Sequence, residues 1–325
     1  ALVVGGASRA QVLAAALVIL VGYVNYRGIE RGAWIQNVST LLKVGALLCL
    51  VMLGLSTLGR AAAPAAPSEP VAALSMLSAF GLAMVPIMWS YDGWSDVGYV
   101  SGEVKDPQRV LPRALFLGAA VVALLYVTVT VAYLLVIPLP AMPGSKLIAA
   151  DVAEAVIGPV GVVLVSGAVA LSTFGTLNGT LMTGPRVFYA MAEDGLFFKS
   201  LARVQPRYGT PGGAIALSVL LGVIFVSVRS FAELTEHFVI GIWPFYALSV
   251  AAVFVLRRTQ AERPRPYRTW GYPVVPLLFL AASLFLLISY AVQQPLVFAI
   301  DLGILLTGVP VYLGWSRRAD AGAGG

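Results

Sequence analysis

Residues 84–107 read MVPIMWSYDGWSDVGYVSGEVKDP and complete an uncharged run that extends from Val71 to Tyr91. That run supplies the ~20 apolar residues a helix needs to cross a ~30 Å hydrocarbon layer. Its end is unusual. Ser90, Asp92, Ser95 and Asp96 gather around an Asp92-Gly93 step, and both Asp and Gly disfavour a continuing helix. Two readings are open here. Either the helix ends at Asp92 and YDGWSD is a loop tip, or a membrane segment spanning 72–101 unwinds and resumes. Unwinding frees carbonyls and N–H groups, which membranes tolerate only inside protein or beside a water-filled cavity. Groups freed in this way can bind an ammonium or a carboxylate.

Outward from this stretch, eight more apolar runs occur at about 10–25, 34–58, 113–137, 158–183, 212–229, 237–256, 273–293 and 295–315. Of the 325 residues, 59% are hydrophobic and 11% charged, against roughly 45–50% and about 25% in an average soluble domain. One soluble core cannot absorb that excess. The expected fold class is an all-α polytopic membrane protein, a single membrane domain of about nine spans in the lipid bilayer.

Charge sets the orientation. Sixteen of the 21 Lys and Arg fall in one set of alternate loops, and the other set holds Arg9, Arg60, Lys146 and Arg229. Basic loops stay cytoplasmic, so the C-terminus is expected inside, the N-terminus outside, and the chain in the plasma membrane. The net charge of +6 is spread between apolar runs and forms no nucleic-acid patch. A single His (His237) and a single Cys (Cys49) exclude a His/Cys metal cluster and an internal disulfide. Cys49 lies in an apolar run and reads as a buried small hydrophobe. No glycine-rich phosphate loop is present. Neither enzyme chemistry nor an ATP-driven pump fits, and no cofactor is expected.

Polar groups inside spans mark the remaining candidates. Lys43 lies nine residues past Trp34, about 13 Å along the helix and near mid-membrane. Gln36, Thr40 and Lys43 share one helix face, so Lys43 serves either an interhelical hydrogen bond or a functional charge. In ALSTFGTLNGTLMTGPR (170–186), Gly175 and Gly179 form a GxxxG that permits close helix approach. Ser172, Thr173, Asn178 and Thr180 add polar groups beside it, which packing or a binding role explains equally. Asp301 lies in the last span without an evident sequence partner. Among the loops, 59–70 is Pro/Ala-rich and external, and LIAADVAEAVIG (147–158) is amphipathic. Residues 184–211 form the longest polar interruption, while 257–272 is punctuated by proline.

WSYDGWSDVGYVSGEVKDPQRVLPRA (89–114) resembles the sixth-helix signature of amino acid–polyamine–organocation permeases. ALSTFGTLNGTLMTGPRVFYAMAEDGLFF (170–198) is similar to helix eight and the following loop in their L-type amino acid transporter branch. NYRGIERGAWIQNVSTLLKVGALL (25–48), VLRRTQAERPRPYRTWGYPVVP (255–276) and LLTGVPVYLGW (305–315) resemble that branch's helix 4–5 junction, helix 10–11 loop and helix 12. The likeness covers essentially the whole chain in order.

The resemblance implies the inverted-repeat fold of five plus five helices. The nine spans become family helices 4 to 12: 10–58 ends the first repeat, 72–256 forms the second, and 273–315 adds two peripheral helices. Family helices 1–3, with the glycine-rich motif that holds the substrate carboxylate, are absent from this chain. The resemblance further implies a secondary amino acid carrier working by antiport or proton linkage. A polyamine or cationic amino acid is the alternative substrate, and a chain lacking those helices is the transport-incompetent alternative. By resemblance, Trp89 gates the site from outside. Ser90, Tyr91, Asp92, Gly93, Trp94 and Ser95 form the unwound segment that receives the substrate's amino group. Trp243 lines the pocket. Lys43 stands where sodium-coupled relatives hold an ion, and it is expected near Ser172 and Thr173. The sequence identifies no protein partner.

Overall fold

The computed structural model describes the backbone of residues 3–4, 7–58, 73–145, 147–228 and 231–323. Side chains at 3–4, 7, 73–75, 77–78, 82, 231–240 and 316–323 fall outside the description, as do the linker at 59–70 and the side chain of His237. A two-residue antiparallel pair, Val3–Val4 with Ala7–Ser8, precedes the first helix. Ser8 then caps α1 (Arg9–Tyr26): its hydroxyl accepts from the Gln11 N–H while Gln11 reaches back to the Ser8 N–H. This reciprocal box satisfies two donors that the first turn leaves without partners.

Tyr26, Arg27 and Gly28 turn the chain into α2 (Ile29–Leu55). Gly28 adopts φ +134°, a conformation that side chains oppose. Arg27 donates to the Tyr23 hydroxyl at 2.6 Å and lies over the Tyr208 ring; the Tyr23 bond first, then Tyr208, pushes its pKa up. The second span was expected to start at Trp34. It starts five residues earlier because the charged turn Ile29–Ala33 continues the helix beyond the hydrocarbon.

Then follow α3 (Ala73–Ser90), α4 (Asp96–Tyr99), α5 (Pro107–Val136), α6 (Ile148–Ile157) and α7 (Pro159–Thr183). After these come α8 (Pro185–Glu193), α9 (Gly212–Val228), α10 (Phe231–Thr259), α11 (Val274–Gln293), α12 (Pro295–Leu306) and α13 (Gly308–Ala323). Proline opens α5, α7, α8 and α12, where its missing N–H costs nothing. Among the described residues, seven segments are long and apolar enough to cross a membrane, and Ala79–Ser90 and Gly212–Val228 are shorter apolar helices.

One expectation needs correction and another is refined. The polar interruption at 184–211 is partly helical, because Val187, Phe188 and Ala192 give Pro185–Glu193 an apolar face. Phe188 stacks on Phe197, which in turn meets Trp315. The expected last span, 295–315, is present as Pro295–Trp315, with a local irregularity at Thr307 between α12 and α13 because Pro310 has no N–H for the Leu306 carbonyl.

The surface is inverted relative to a soluble protein. Leu41, Phe116, Val163 and Leu296 are each more than 70% exposed, whereas Asn25, Ser39, Asn178 and Thr183 are buried. A bilayer solvates leucine, so helix association relies on small residues and hydrogen bonds instead. The same logic corrects Cys49: it is exposed, because an apolar side chain needs no burial where lipid surrounds the helix. Asp301, by contrast, is buried on α12.

Glycines set the seams. A Cβ on Gly175 of α7 would stand 1.7 Å from Ser39 Oγ of α2, and one on Gly22 of α1 would stand 2.2 Å from Val219 of α9. α5 and α6 complete this group against α2 and α7. A second group joins α3, α10, α11 and α12. The short α4 touches α7 and connects the two.

Candidate functional site

The third span is discontinuous. α3 ends at Ser90, residues 91–95 form a turn, and the chain resumes as α4 at Asp96. Gly93 supplies φ +96°, which removes the helix from its path. Within the turn Asp92 N–H bonds Trp89 O (3.1 Å) and Asp96 N–H bonds Gly93 O (3.3 Å). Among the described residues, no backbone partner serves the N–H groups of Gly93, Trp94 and Ser95 or the carbonyls of Tyr91 and Asp92. Tyr126 of α5 donates to the Ser90 carbonyl at 2.8 Å, and its ring meets Tyr91 edge-on with centroids 4.9 Å apart.

The other side of the turn faces α10 and α11. Tyr246 donates its hydroxyl proton to Asp92 Oδ1 (2.7 Å), and Ser95 Oγ lies 2.9 Å from the Tyr246 hydroxyl oxygen. A phenol has one proton, so Ser95 is the donor to Tyr246. Trp94 lies against Tyr246 and Phe279, and buried Trp243 packs on the same two rings. Beyond the turn, Asp96 Oδ2 accepts from Thr183 of α7 at 3.1 Å. Glu103 then pairs with Arg186 of α8 at 2.6 Å, and Arg186 also donates to the Met182 carbonyl.

The turn therefore brings Asp92, Trp94, Ser95 and Trp243 together around Tyr246. Ser90 and Tyr91 face α5 instead, with Ser90 Oγ returned to the Ile87 carbonyl. Trp89, Tyr91 and Trp94 remain 36–44% exposed. Tyr246, Tyr126 and Phe279 were not anticipated. Tyr246 carried a signal, since it follows Trp243 by three residues, one helical turn.

Lys43 lies on the separate α2–α7 seam. Its ammonium donates to Thr176 Oγ1 at 3.0 Å, not to Ser172 or Thr173. Thr173 returns its hydroxyl to the Val169 carbonyl, and the Ser172 carbonyl accepts from Thr176. Thr176 follows Gly175, whose missing side chain leaves room for the Lys43 stem at the crossing. Below it, buried Asn178 donates to Gly32 O (2.9 Å) and to Gln36 (3.3 Å) and accepts from Asn25 (3.1 Å).

The turn after α3 thus gathers aromatics, one acid and backbone groups that lack backbone partners among the described residues. A family model described as amino acid permease matches residues 5–311. The chain belongs to the amino acid permease family. It is 29% identical over 316 residues to the serine/threonine exchanger SteT of Bacillus subtilis (strain 168), covering 96% of this chain and 71% of that protein. It is 29% identical to the human b(0,+)-type amino acid transporter 1, covering 87% of this chain and 58% of the relative. It is 30% identical to the rabbit (Oryctolagus cuniculus) large neutral amino acids transporter small subunit 2, covering 94% and 57%. The chain thus spans little more than half the length of the mammalian relatives. Family and apolar helices together make this permease a multi-pass membrane protein rather than an enzyme.

Proposed function

We propose that this permease moves amino acids by alternating access, as an antiporter or proton-linked carrier, with its substrate site at Trp89–Ser95. The interruption of the third span carries the reading. The carbonyls of Tyr91 and Asp92 lack backbone donors and suit a substrate ammonium, as broken helices do at membrane depth. In this reading Trp89 closes the site from outside and Trp243 forms a wall through Tyr246 and Phe279. Residues 10–58 end one repeat, 72–256 form the inverted second repeat, and 273–315 are peripheral. The arginine-rich loops and the C-terminus face the cytoplasm of a plasma membrane.

Lys43 is assigned to coupling. Its ammonium is a charge on a seam of hydrogen-bonded amides, with Thr176 as its partner. It is placed to hold the position of a coupling ion, with Thr176 as its anchor and the Ser172–Thr173 turn beside it. The serine/threonine exchanger among the relatives favours a neutral amino acid. The carboxylate of Asp92 favours a second reading, a cationic amino acid or polyamine, whenever Tyr246 releases it.

The test is exchange in proteoliposomes made with the protein as its gene encodes it. Labelled serine uptake is measured under competition from each amino acid and from putrescine. Saturable, trans-stimulated uptake is expected, weakened by Trp89→Ala. Lys43→Ala should lower turnover far more than expression, with poor rescue by Lys43→Arg, whose planar guanidinium is larger and stays protonated. Absence of substrate-specific uptake overturns the reading. Normal uptake with unchanged pH dependence in Lys43→Ala removes the coupling role alone.

A further inference from the structure

A cavity of about 430 Å³ opens on the arginine-rich face between the start of α5 and the loop after α10. Pro107, Leu111 and Pro112 form one wall, Leu256 and Tyr267 the other, and Arg263 and Arg265 are the cations of the lining. The two walls belong to the two different helix groups, so the cavity is a cleft between them.

The loop is held open by its own chemistry. Arg265 donates to the carbonyls of Leu256, Gln260, Ala261 and Arg263, which closes the C-terminal end of α10 and fixes the guanidinium at the cavity edge. Arg263 is exposed and uses one nitrogen on Gln260 Oε1 (3.2 Å); its others are not engaged among the described residues. Five arginines lie in 257–268 against one acid, Glu262, which does not line the cavity. Asp106, beside Pro107, faces Arg109 at 3.9 Å. Trp270, Tyr267 and Tyr272 are exposed on the same loop, and Arg257 lies 3.7 Å from the Tyr272 ring centroid. Exposed aromatics among arginines at helix ends are the composition of a membrane–water interface.

From this geometry we infer that the cleft between α5 and the 257–272 loop binds an anionic phospholipid, its phosphate at Arg263 and Arg265 and its glycerol and upper acyl carbons against the proline and leucine walls. The walls match an amphiphile and the rim matches a negative headgroup. Basic pockets at this depth on the cytoplasmic side bind anionic headgroups elsewhere by the same electrostatics. Bound there, one lipid touches both helix groups. The inference concerns a site apart from the broken helix and does not depend on which substrate is carried.

The purified protein is titrated in neutral detergent with dioleoyl phosphatidylglycerol or dioleoyl phosphatidylcholine, and bound lipid is counted by native mass spectrometry. Phosphatidylglycerol is expected to bind at least about ten-fold tighter. Arg263→Gln should weaken it about five-fold, the effect of one interfacial cation. Leu111→Trp, which fills the cavity and keeps every charge, should reduce it as well. Arg109→Gln, an equal charge loss outside the cavity, should leave it unchanged. Equal binding of the two lipids, or equal losses in Arg263→Gln and Arg109→Gln, overturns the site. Displacement by inorganic phosphate at equal concentration overturns the lipid as its occupant.

Discussion

Glycine does opposite work in two regions of this permease. On the α2–α7 seam, Gly175 and Gly179 bring backbones so close that an added Cβ would meet Ser39 or Gln36 within 1.7 and 3.3 Å. At the break, Gly93 has nothing within 4 Å and serves only to turn the chain through φ +96°. The polar residues follow the same division. Asn178 on the seam is fully buried and has partners on α1 and α2. Around the break, Asp92 is served by one phenol, while backbone groups stay open among half-exposed aromatics. On the seam the Asn178 amide is satisfied by three hydrogen bonds across helices, although Ser39 Oγ and Asn25 Oδ1 are buried there without partners. At the break, among the described residues, the carbonyls of Tyr91 and Asp92 have no backbone donor, which is why the substrate site is proposed there.

The contrast is broken most severely by Gly175→Leu. No rotamer avoids Ser39, so overpacking of about 1–3 kcal/mol should abolish monodisperse protein in detergent gel filtration. Gly45→Leu on α2, where nothing lies within 4 Å, should elute normally. Equal behaviour of the two would mean that the seam is not close-packed. Asn178→Leu removes three hydrogen bonds at once, and each membrane hydrogen bond averages ~0.6 kcal/mol. A fall of about 1–2 kcal/mol in thermal unfolding is expected, and an unchanged midpoint would show the network to be incidental.

Smaller stability effects with larger functional ones are expected at the break. Gly93→Ala imposes a strained backbone of about 1 kcal/mol in open space, so the protein should fold yet lose most exchange; retained exchange would separate the turn from transport. Tyr246→Phe keeps the rings of Trp94, Trp243 and Phe279 in place and deletes only a hydroxyl, for under ~1 kcal/mol. Releasing Asp92 should raise uptake of cationic relative to neutral amino acids. An unchanged ratio would show that the Asp92 carboxylate does not reach the substrate.

Much of this was legible in the residues. Seven of the nine apolar runs coincide with helices long and apolar enough to cross a membrane among the described residues, because a bilayer imposes its own thickness on every crossing helix. The step at Asp92-Gly93 announced an interruption, because Gly is the residue that tolerates positive φ. The GxxxG at 175–179 announced a close crossing. What was misplaced shares one cause. Cys49 was expected to be buried but is exposed, and Lys43, expected near Ser172 and Thr173, takes the next-turn Thr176 as its partner. Each depends on which way one helix face points relative to its neighbours.

Periodicity and composition determine which segments enter the membrane and where they bend, since those are local contests between side chain, backbone and lipid. They do not specify rotation about the helix axis. That Tyr246, 154 positions from Asp92, should meet it, or that Thr176 rather than Thr173 should meet Lys43, depends on helix rotations of a fraction of a turn. Only the packing of glycine seams and buried amides across the bundle decides those, because in lipid the apolar faces themselves express no preference.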